Sequence, residues 1–300
     1  MVRPLLALDS ASLYYRSFHA LPESMTAPDG RPHNAVRGLL STVARLVERH
    51  RPVAVVAAWD EDWRPQWRVD LVPTYKTHRL ADDGSESEPD TLGDQAQALR
   101  RLLPALGVPV VGVPGFEADD VLGSIAAQDG RPVVVVSGDR DLVQLVDDRV
   151  SVLLAVNGGM DRWPLLDPDG VQHRFGVPAD RYADLAVLRG DASDGLPGVP
   201  GIGERTAAAL IASFGGLDGI LAAASGPPQR PMTPRLSALL TEHAPTVRAT
   251  EQVVRIRRDL GLPGYAPTPD AQEARALAGA WGVTRQADEV AAALAQPADE

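Results

Sequence analysis

Five apolar runs dominate the first 160 residues: 4–9 (PLLALD), 53–59 (VAVVAAW), 108–113 (VPVVGV), 132–137 (PVVVVS) and 150–156 (VSVLLAV). They are valine-rich and lack polar alternation, the pattern of strands buried on both faces, and this requires a parallel sheet covered by helices. Helical stretches at 34–50, 92–106, 117–128 and 140–147 lie between them, so right-handed crossovers are expected. After residue 175 the strand signal ends. Helical patterns follow at 179–189, 203–214, 216–224, 233–257 and 271–296, punctuated by GLPGVPGIG and SGPPQRP. The chain therefore reads as an α/β domain over 1–175 and a helical domain over 176–300, without an internal repeat. The longest apolar stretches, 53–59 and 132–136, are far shorter than the ~20 residues of a membrane span. Asp9 interrupts the apolar run at 4–8, so neither a signal peptide nor a membrane partner is expected.

In an open parallel sheet the carboxyl ends of the strands share one edge, and ligands bind there. Asp9 closes the first run and Asp60 the second, Glu117, Asp119 and Asp120 stand in GFEADD, and Asp139 and Asp141 follow the fourth run in SGDRD. Each acid singly has an ordinary reading as a helix cap or a turn residue. Together they are seven acids from four segments on one rim, and close carboxylates repel one another unless cations intervene. Cysteine is absent and histidine sparse, which excludes thiolate sites, fits a cytoplasmic location and leaves an oxygen-only donor set suited to Mg²⁺ or Mn²⁺. Asp191 and Asp194, in LRGDASDGLPG, either cap the turn before Gly195 or complete the cluster. The net charge of −11 argues at face value against a nucleic-acid partner. Setting these nine acids aside leaves −2, so the acidic balance largely belongs to the rim.

The stretch GVPGIGERTAAALI places Gly198, Gly201 and Gly203 in a turn that opens a helix, with Arg205 beside its start. Such turns hold phosphate through exposed amides and the positive end of the helix dipole. With the preceding helical pattern, 179–214 looks like a helix-hairpin-helix, which grips duplex backbone without reading bases. Between Asp60 and the acidic stretch 80–91, Arg64, Arg68, Lys76, His78 and Arg79 are interleaved with Trp63, Trp67 and Tyr75. Arg16 follows Tyr14 and Tyr15. Cations beside rings suit a nucleic-acid strand, although solvated arginines around core aromatics give the same pattern.

On LLALDSASLYYRSFHA, VVAAWDEDWRPQWR, LVPTYKTHR, GFEADDVLGSIA, VVSGDRDLVQLV and LRGDASDGLPGVPGIGERTAAALI, the chain resembles the 5′ nuclease family. That family comprises the 5′→3′ exonuclease domain of bacterial DNA polymerase I, phage 5′ exonucleases and flap endonucleases. The segments are collinear and span roughly 4–215. The resemblance implies a PIN-like α/β nuclease domain with an arch near 63–92, then a helical domain with a helix-hairpin-helix. It implies two metal ions: Asp9, Asp60, Glu117 and Asp119 would hold one, Asp139, Asp141, Asp191 and Asp194 the other, with Asp120 nearby. Lys76, Arg79 and Arg16 would act on the scissile phosphate, Tyr75 would stack on a terminal base, and Arg68, Gly198, Gly201, Gly203 and Arg205 would contact DNA. A potassium ion would sit on the carbonyls near Val199, Gly201 and Gly203.

The expectation is thus a metal-dependent 5′→3′ exonuclease acting on DNA 5′ ends or 5′ flaps in replication or repair, monomeric and functionally linked to a DNA polymerase. Because the sequence stops at 300, a stand-alone enzyme is expected. Asp82, Asp83, Glu86, Glu88 and Asp90 make the arch acidic, which weakens the case for threading a single strand. A PIN-type ribonuclease and a catalytically silent DNA-binding protein are the alternatives.

Overall fold

The computed structural model describes residues 3–296 apart from 83, 85, 86, 88 and 228. Asp83, Glu86 and Glu88 of the acidic arch therefore lie outside the described residues. The strands are β1 (Leu5–Asp9), β2 (Ala54–Ala58), β3 (Val110–Val111), β4 (Val133–Ser137), β5 (Val150–Leu154) and β6 (Leu165–Leu166). They form one sheet in the order β3-β2-β1-β4-β5-β6, parallel throughout except for β6, which pairs antiparallel with β5 at the edge. The first five match the apolar runs. The sixth, with two residues, is too short to leave a periodic signal.

The helices are α1 (Ser10–Ala20), α2 (Asn34–His50), α3 (Gln66–Leu71), α4 (Leu92–Ala105), α5 (Ala118–Gln128), α6 (Pro168–Phe175), α7 (Tyr182–Arg189), α8 (Glu204–Phe214), α9 (Leu217–Ala224), α10 (Pro234–Val254), α11 (Ala271–Ala280) and α12 (Thr284–Leu294). Side chains alternate across the sheet. Leu5, Ala7, Val133 and Val135 enter one core with α5, α7 and α10, while Leu6, Leu8, Val134 and Val136 enter the other with α2 and α4. In α2, Val36, Leu39, Leu40, Val43 and Val47 recur at three- and four-residue spacing, so one stripe is buried.

Two expected helices come out differently. The stretch 140–147 holds only a 3₁₀ turn, Asp141–Leu145, because β5 begins at Val150 and leaves no room for a longer helix. The stretch 271–296 breaks at Trp281–Val283 into α11 and α12, where Gly282 takes a φ of 64°. These two helices pack on α4 and α2, so the last segment covers the far face of the sheet instead of extending the helical half. An extended strap, residues 255–270, carries the chain there across α5. Gln128 donates to the carbonyls of Arg258 and Leu260, and Tyr265 donates to Asp129 at 2.8 Å. Among the described residues no single helix is long and apolar enough to cross a membrane.

Candidate active site

Register brings the acids together. Leu5 of β1 lies opposite Ala54 on one side and Val133 on the other, so the carboxyl ends of β1, β2 and β4 are level. Asp9 ends β1, Asp60 stands two residues beyond β2, and Asp139 stands two beyond β4. Asp60 accepts the Ala118 N–H at 2.8 Å, which ties β2 to the start of α5, where Glu117 and Asp119 sit. Asp9 caps α1 by accepting the Ser12 N–H at 3.1 Å and takes the Ser137 hydroxyl on its other oxygen. Asp139 accepts the Asp141 N–H at 2.8 Å, and Asp191 the Ser193 N–H at 2.8 Å. The capping and functional readings are thus both true. Asp139 spends one oxygen on its local turn and Asp60 one on the start of α5, while the second oxygen of Asp191 lies 3.8 Å from Arg189.

That cleft has a volume of about 810 Å³. Asp9, Asp60, Glu117, Asp119, Asp139 and Asp191 line it, together with Lys76, Arg79, Arg100 and Arg140. Burial, and then repulsion from Asp60 and Asp139, pushes the Asp9 carboxyl up to about 7. Asp119 is held well above the usual carboxylate range by burial and by Asp139, Asp9 and Glu117. Asp141 is raised likewise by burial and by Asp139, Asp194 and Asp191, and Asp194 reaches about 6, mainly through burial. The repulsion therefore falls into two groups that share Asp139: Asp9, Asp119 and Asp60 on one side, Asp141, Asp191 and Asp194 on the other.

The arch base closes one wall. Lys76, with a φ of 48°, donates its backbone N–H to the Asp194 carbonyl at 2.8 Å. Gly195 follows at a φ of 66°, and a Cβ there would meet the Thr74 carbonyl oxygen at 2.2 Å, so the contact requires glycine. The Lys76 ammonium pairs with Glu117 and lies 3.3 Å from the Trp63 carbonyl, while Arg79 pairs with Asp194 at 2.8 Å. Burial alone would lower the Lys76 pKa, but Glu117, with Tyr75 and Asp194, holds it well above its ordinary value. This lysine is a fixed positive charge over the acids.

Five expected roles are revised. Tyr75 is only 4% exposed and donates its hydroxyl to Glu117 at 2.7 Å, so it cannot stack on a base. The rings that do face the cleft are Tyr14, Tyr15, Trp59 and Trp63. Arg68 is 2% exposed and pairs with Glu117 and with Asp120, the latter at 2.9 Å, because α3 turns it inward; it does not face DNA. Asp120 also accepts the Arg257 N–H at 3.0 Å and belongs to that buried network, not to the cleft. Arg16 donates to the carbonyls of Ala155, Val156 and Gly158 and lies 5.3 Å from the Trp163 ring centroid, so it clamps α1 to the end of β5. Gly198 is packed against Arg189, whose carbonyl a Cβ would meet at 2.3 Å; its role is close packing of the hairpin and not phosphate contact. Gly201, Gly203 and Arg205 are exposed at the start of α8. Sequence reasoning missed Arg100, Gln97 and Arg140. The first two lie on the polar face of α4, which spacing alone cannot separate from a solvated face.

Among the described residues no three carboxylates already converge as a ready-made coordination site. Lys76 pairs with Glu117, and Arg79 with Asp194. The donor set nevertheless fits hard divalent cations: it is all oxygen, and the Asp141 Oδ1 is buried without a hydrogen-bond partner.

Residues 4–176 match the family model described as the 5′-3′ exonuclease, N-terminal resolvase-like domain, and residues 177–274 that of the 5′-3′ exonuclease, C-terminal SAM fold. A 5′-3′ exonuclease of Streptomyces coelicolor is 49% identical over 93% of this chain and 96% of its own length. One of Mycobacterium tuberculosis is 47% identical over 89% and 88%. Among solved structures, a phage T5 flap endonuclease in a complex with DNA and metal ions superposes with a TM-score of 0.63 at 18% identity, over 98% of this chain and 100% of that one, which establishes a shared fold. On both family models and on relatives matched over nearly their whole length, this chain belongs to the 5′-3′ exonuclease family.

Proposed function

We propose that this chain is a divalent-metal-dependent 5′→3′ exonuclease that hydrolyses DNA phosphodiesters at 5′ ends and at 5′ flaps. The observation that carries the reading is the cleft: carboxylates from separate sheet-edge segments meet two arch-base cations, Lys76 and Arg79, in one cavity. The exonuclease relatives and the T5 flap endonuclease bound to DNA and metal ions support it. Asp9, Asp60, Asp119 and Glu117 would hold one Mg²⁺, and Asp139, Asp141, Asp191 and Asp194 a second. Divalent cations held there would supply Lewis-acid activation of water and charge compensation for the phosphate. Lys76, fixed by Glu117 in the cleft lining, would steady the charge that develops on the phosphate during hydrolysis. Arg79, only partly buried, orients the same phosphate.

Gly201, Gly203 and Arg205 would bind the duplex arm. The carbonyls of Val199 and Gly203 each accept one backbone N–H, from Ile202 and Ala207, and keep a second lone pair for K⁺. A 5′-labelled flap on a nicked duplex, incubated with Mg²⁺ and with EDTA, tests the proposal. Release of short 5′ products only with metal is expected. No cleavage in either condition would leave a DNA-binding protein, and a preference for RNA would leave a ribonuclease.

A further inference from the structure

Four cations line the cleft, and three are already neutralised. Lys76 pairs with Glu117, Arg79 with Asp194 at 2.8 Å, and Arg100 with Glu61. Arg140 is the exception. It is exposed, and among the described residues its guanidinium has neither an ion pair nor a hydrogen bond. Two acids flank it in the chain, yet neither captures it. Asp139 turns one oxygen back to the Asp141 N–H, and Asp141 is buried, 8% exposed, at the start of the 3₁₀ turn. Arg140 holds ordinary helical torsions, φ −77° and ψ −20°, and its carbonyl accepts the Val143 N–H at 3.0 Å, so its backbone is fixed by that turn.

Its position is also distinctive. Lys76 and Arg79 come from the arch base, whereas Arg140 follows β4. Arg140 thus presents an uncommitted guanidinium to the acid-lined cleft. It suits an anionic ligand that arrives from outside, and a planar guanidinium suits the two free oxygens of a phosphodiester.

We propose that Arg140 is a DNA-contacting residue that grips a backbone phosphate of the substrate duplex at the cleft. The inference rests on the nuclease reading above. It makes Arg140 a substrate-affinity determinant distinct from Lys76, with its effect read in binding before chemistry.

Equilibrium binding of a fluorescent nicked duplex, titrated with protein in EDTA at several salt concentrations, provides the test. Arg140→Gln should weaken binding about tenfold at low salt, the scale of one charged hydrogen-bonded contact, and lower the salt slope by about one unit. Arg140→Lys should restore the slope while recovering only part of the affinity, because it keeps the charge and loses the fork. Arg140→Gln with wild-type affinity and slope, beside a wild-type protein that binds, overturns this inference and leaves the nuclease reading intact. A wild-type protein that fails to bind duplex overturns both.

Discussion

Asp119 and Asp120 are neighbours on the first turn of α5, and the helix points them into two different environments. Asp120 is fully buried against Arg68 at 2.9 Å and the Arg257 N–H at 3.0 Å, with compensating charge built in. Asp119 faces the cleft, where the charges of Asp139, Asp9 and Glu117 repel it and Lys76 acts as counterweight. Behind the cleft, then, carboxylates are matched by fixed cations; inside it Asp9, Asp119 and Asp139 form no ion pair among the described residues. A matched pair is structure. An unmatched cluster is a site held ready for cations that come and go. Glu117 belongs to both regions, since it pairs with Arg68 behind and Lys76 in front.

The sharpest way to break this comparison is to remove Asp139, the acid shared by the two repelling groups. Asp139→Asn should lower the single-turnover cleavage rate in Mg²⁺ by about a thousandfold or more, since metal stabilisation of the transition state is worth several kcal/mol. Duplex binding should persist or tighten. In EDTA the same variant should melt at a higher temperature than wild type, because repulsion is relieved. A variant that keeps a tenth of the wild-type rate would mean Asp139 is only a turn residue.

On the matched side the expected effect is on folding. Arg68→Met leaves Glu117 and Asp120 buried with less positive charge, a loss of about 3–5 kcal/mol in urea denaturation. Asp119→Asn in EDTA should be neutral or stabilising. If both variants lose stability equally, the two regions are not different in kind.

Lys76 stands at the boundary. Lys76→Ala should cost about a hundredfold in single-turnover rate, the scale of one electrostatic contact to developing charge in a water-poor site. Arg79→Ala should cost less, because its side chain is 37% exposed and shares Asp194. Equal losses would assign both residues to general charge balance.

Much of this was legible before any coordinates. The parallel sheet follows from runs such as VVVV at 133–136, and the acid rim follows from where Asp9, Asp60 and Asp139 fall after those runs. What the sequence hid is direction. Arg68, Tyr75 and Lys76 lie within nine residues, and nothing in their spacing says that two turn into the protein while the third reaches the cleft. Likewise Arg140 looks like one of many surface arginines until the pairing of its neighbours is known. Strand-end position is dictated by hydrophobic pattern, whereas side-chain facing in short turns depends on packing partners far away in the chain.

The pH dependence separates the two regions further. Asp9 titrates near 7 and Asp194 near 6 in the folded state, against 3.8 for both as their ordinary value. The folded protein thus binds these protons more tightly than the unfolded chain, and the stability they add at low pH is lost as pH rises toward 7. Each group contributes at most about 1.4 kcal/mol per pH unit. Asp129, held low by hydrogen bonds from Arg131, works the other way, but its contribution is complete once the pH exceeds its ordinary value of 3.8. Between pH 5 and 7 the metal-free melting temperature should therefore fall by about 2–4 °C per unit. Saturating Mg²⁺, which favours the ionised acids, should flatten or reverse that fall. A metal-free melting temperature that climbs through this window would show that the acids are compensated by other means.

The smallest effect is expected at the hairpin, where two glycines repeat the contrast between structure and site. A Cβ on Gly198 would meet the Arg189 carbonyl at 2.3 Å, so Gly198→Ala should destabilise the helical half whatever DNA does. Gly203 has a φ of −90° and nothing within 4 Å of a Cβ, so the fold accepts a side chain there. Gly203→Val should leave the melting temperature within about a degree, since an exposed substitution away from packing costs less than ~0.5 kcal/mol. What it blocks is approach of a phosphate to the first N–H groups of α8, a loss of about fivefold in duplex affinity, the scale of one backbone hydrogen bond. Cleavage of a short single strand, which does not reach the hairpin, should be spared. Comparing Gly203→Val on a nicked duplex and on a short single strand decides the point. Equal loss on both substrates would make the hairpin a packing element throughout, with Gly203 no different from Gly198.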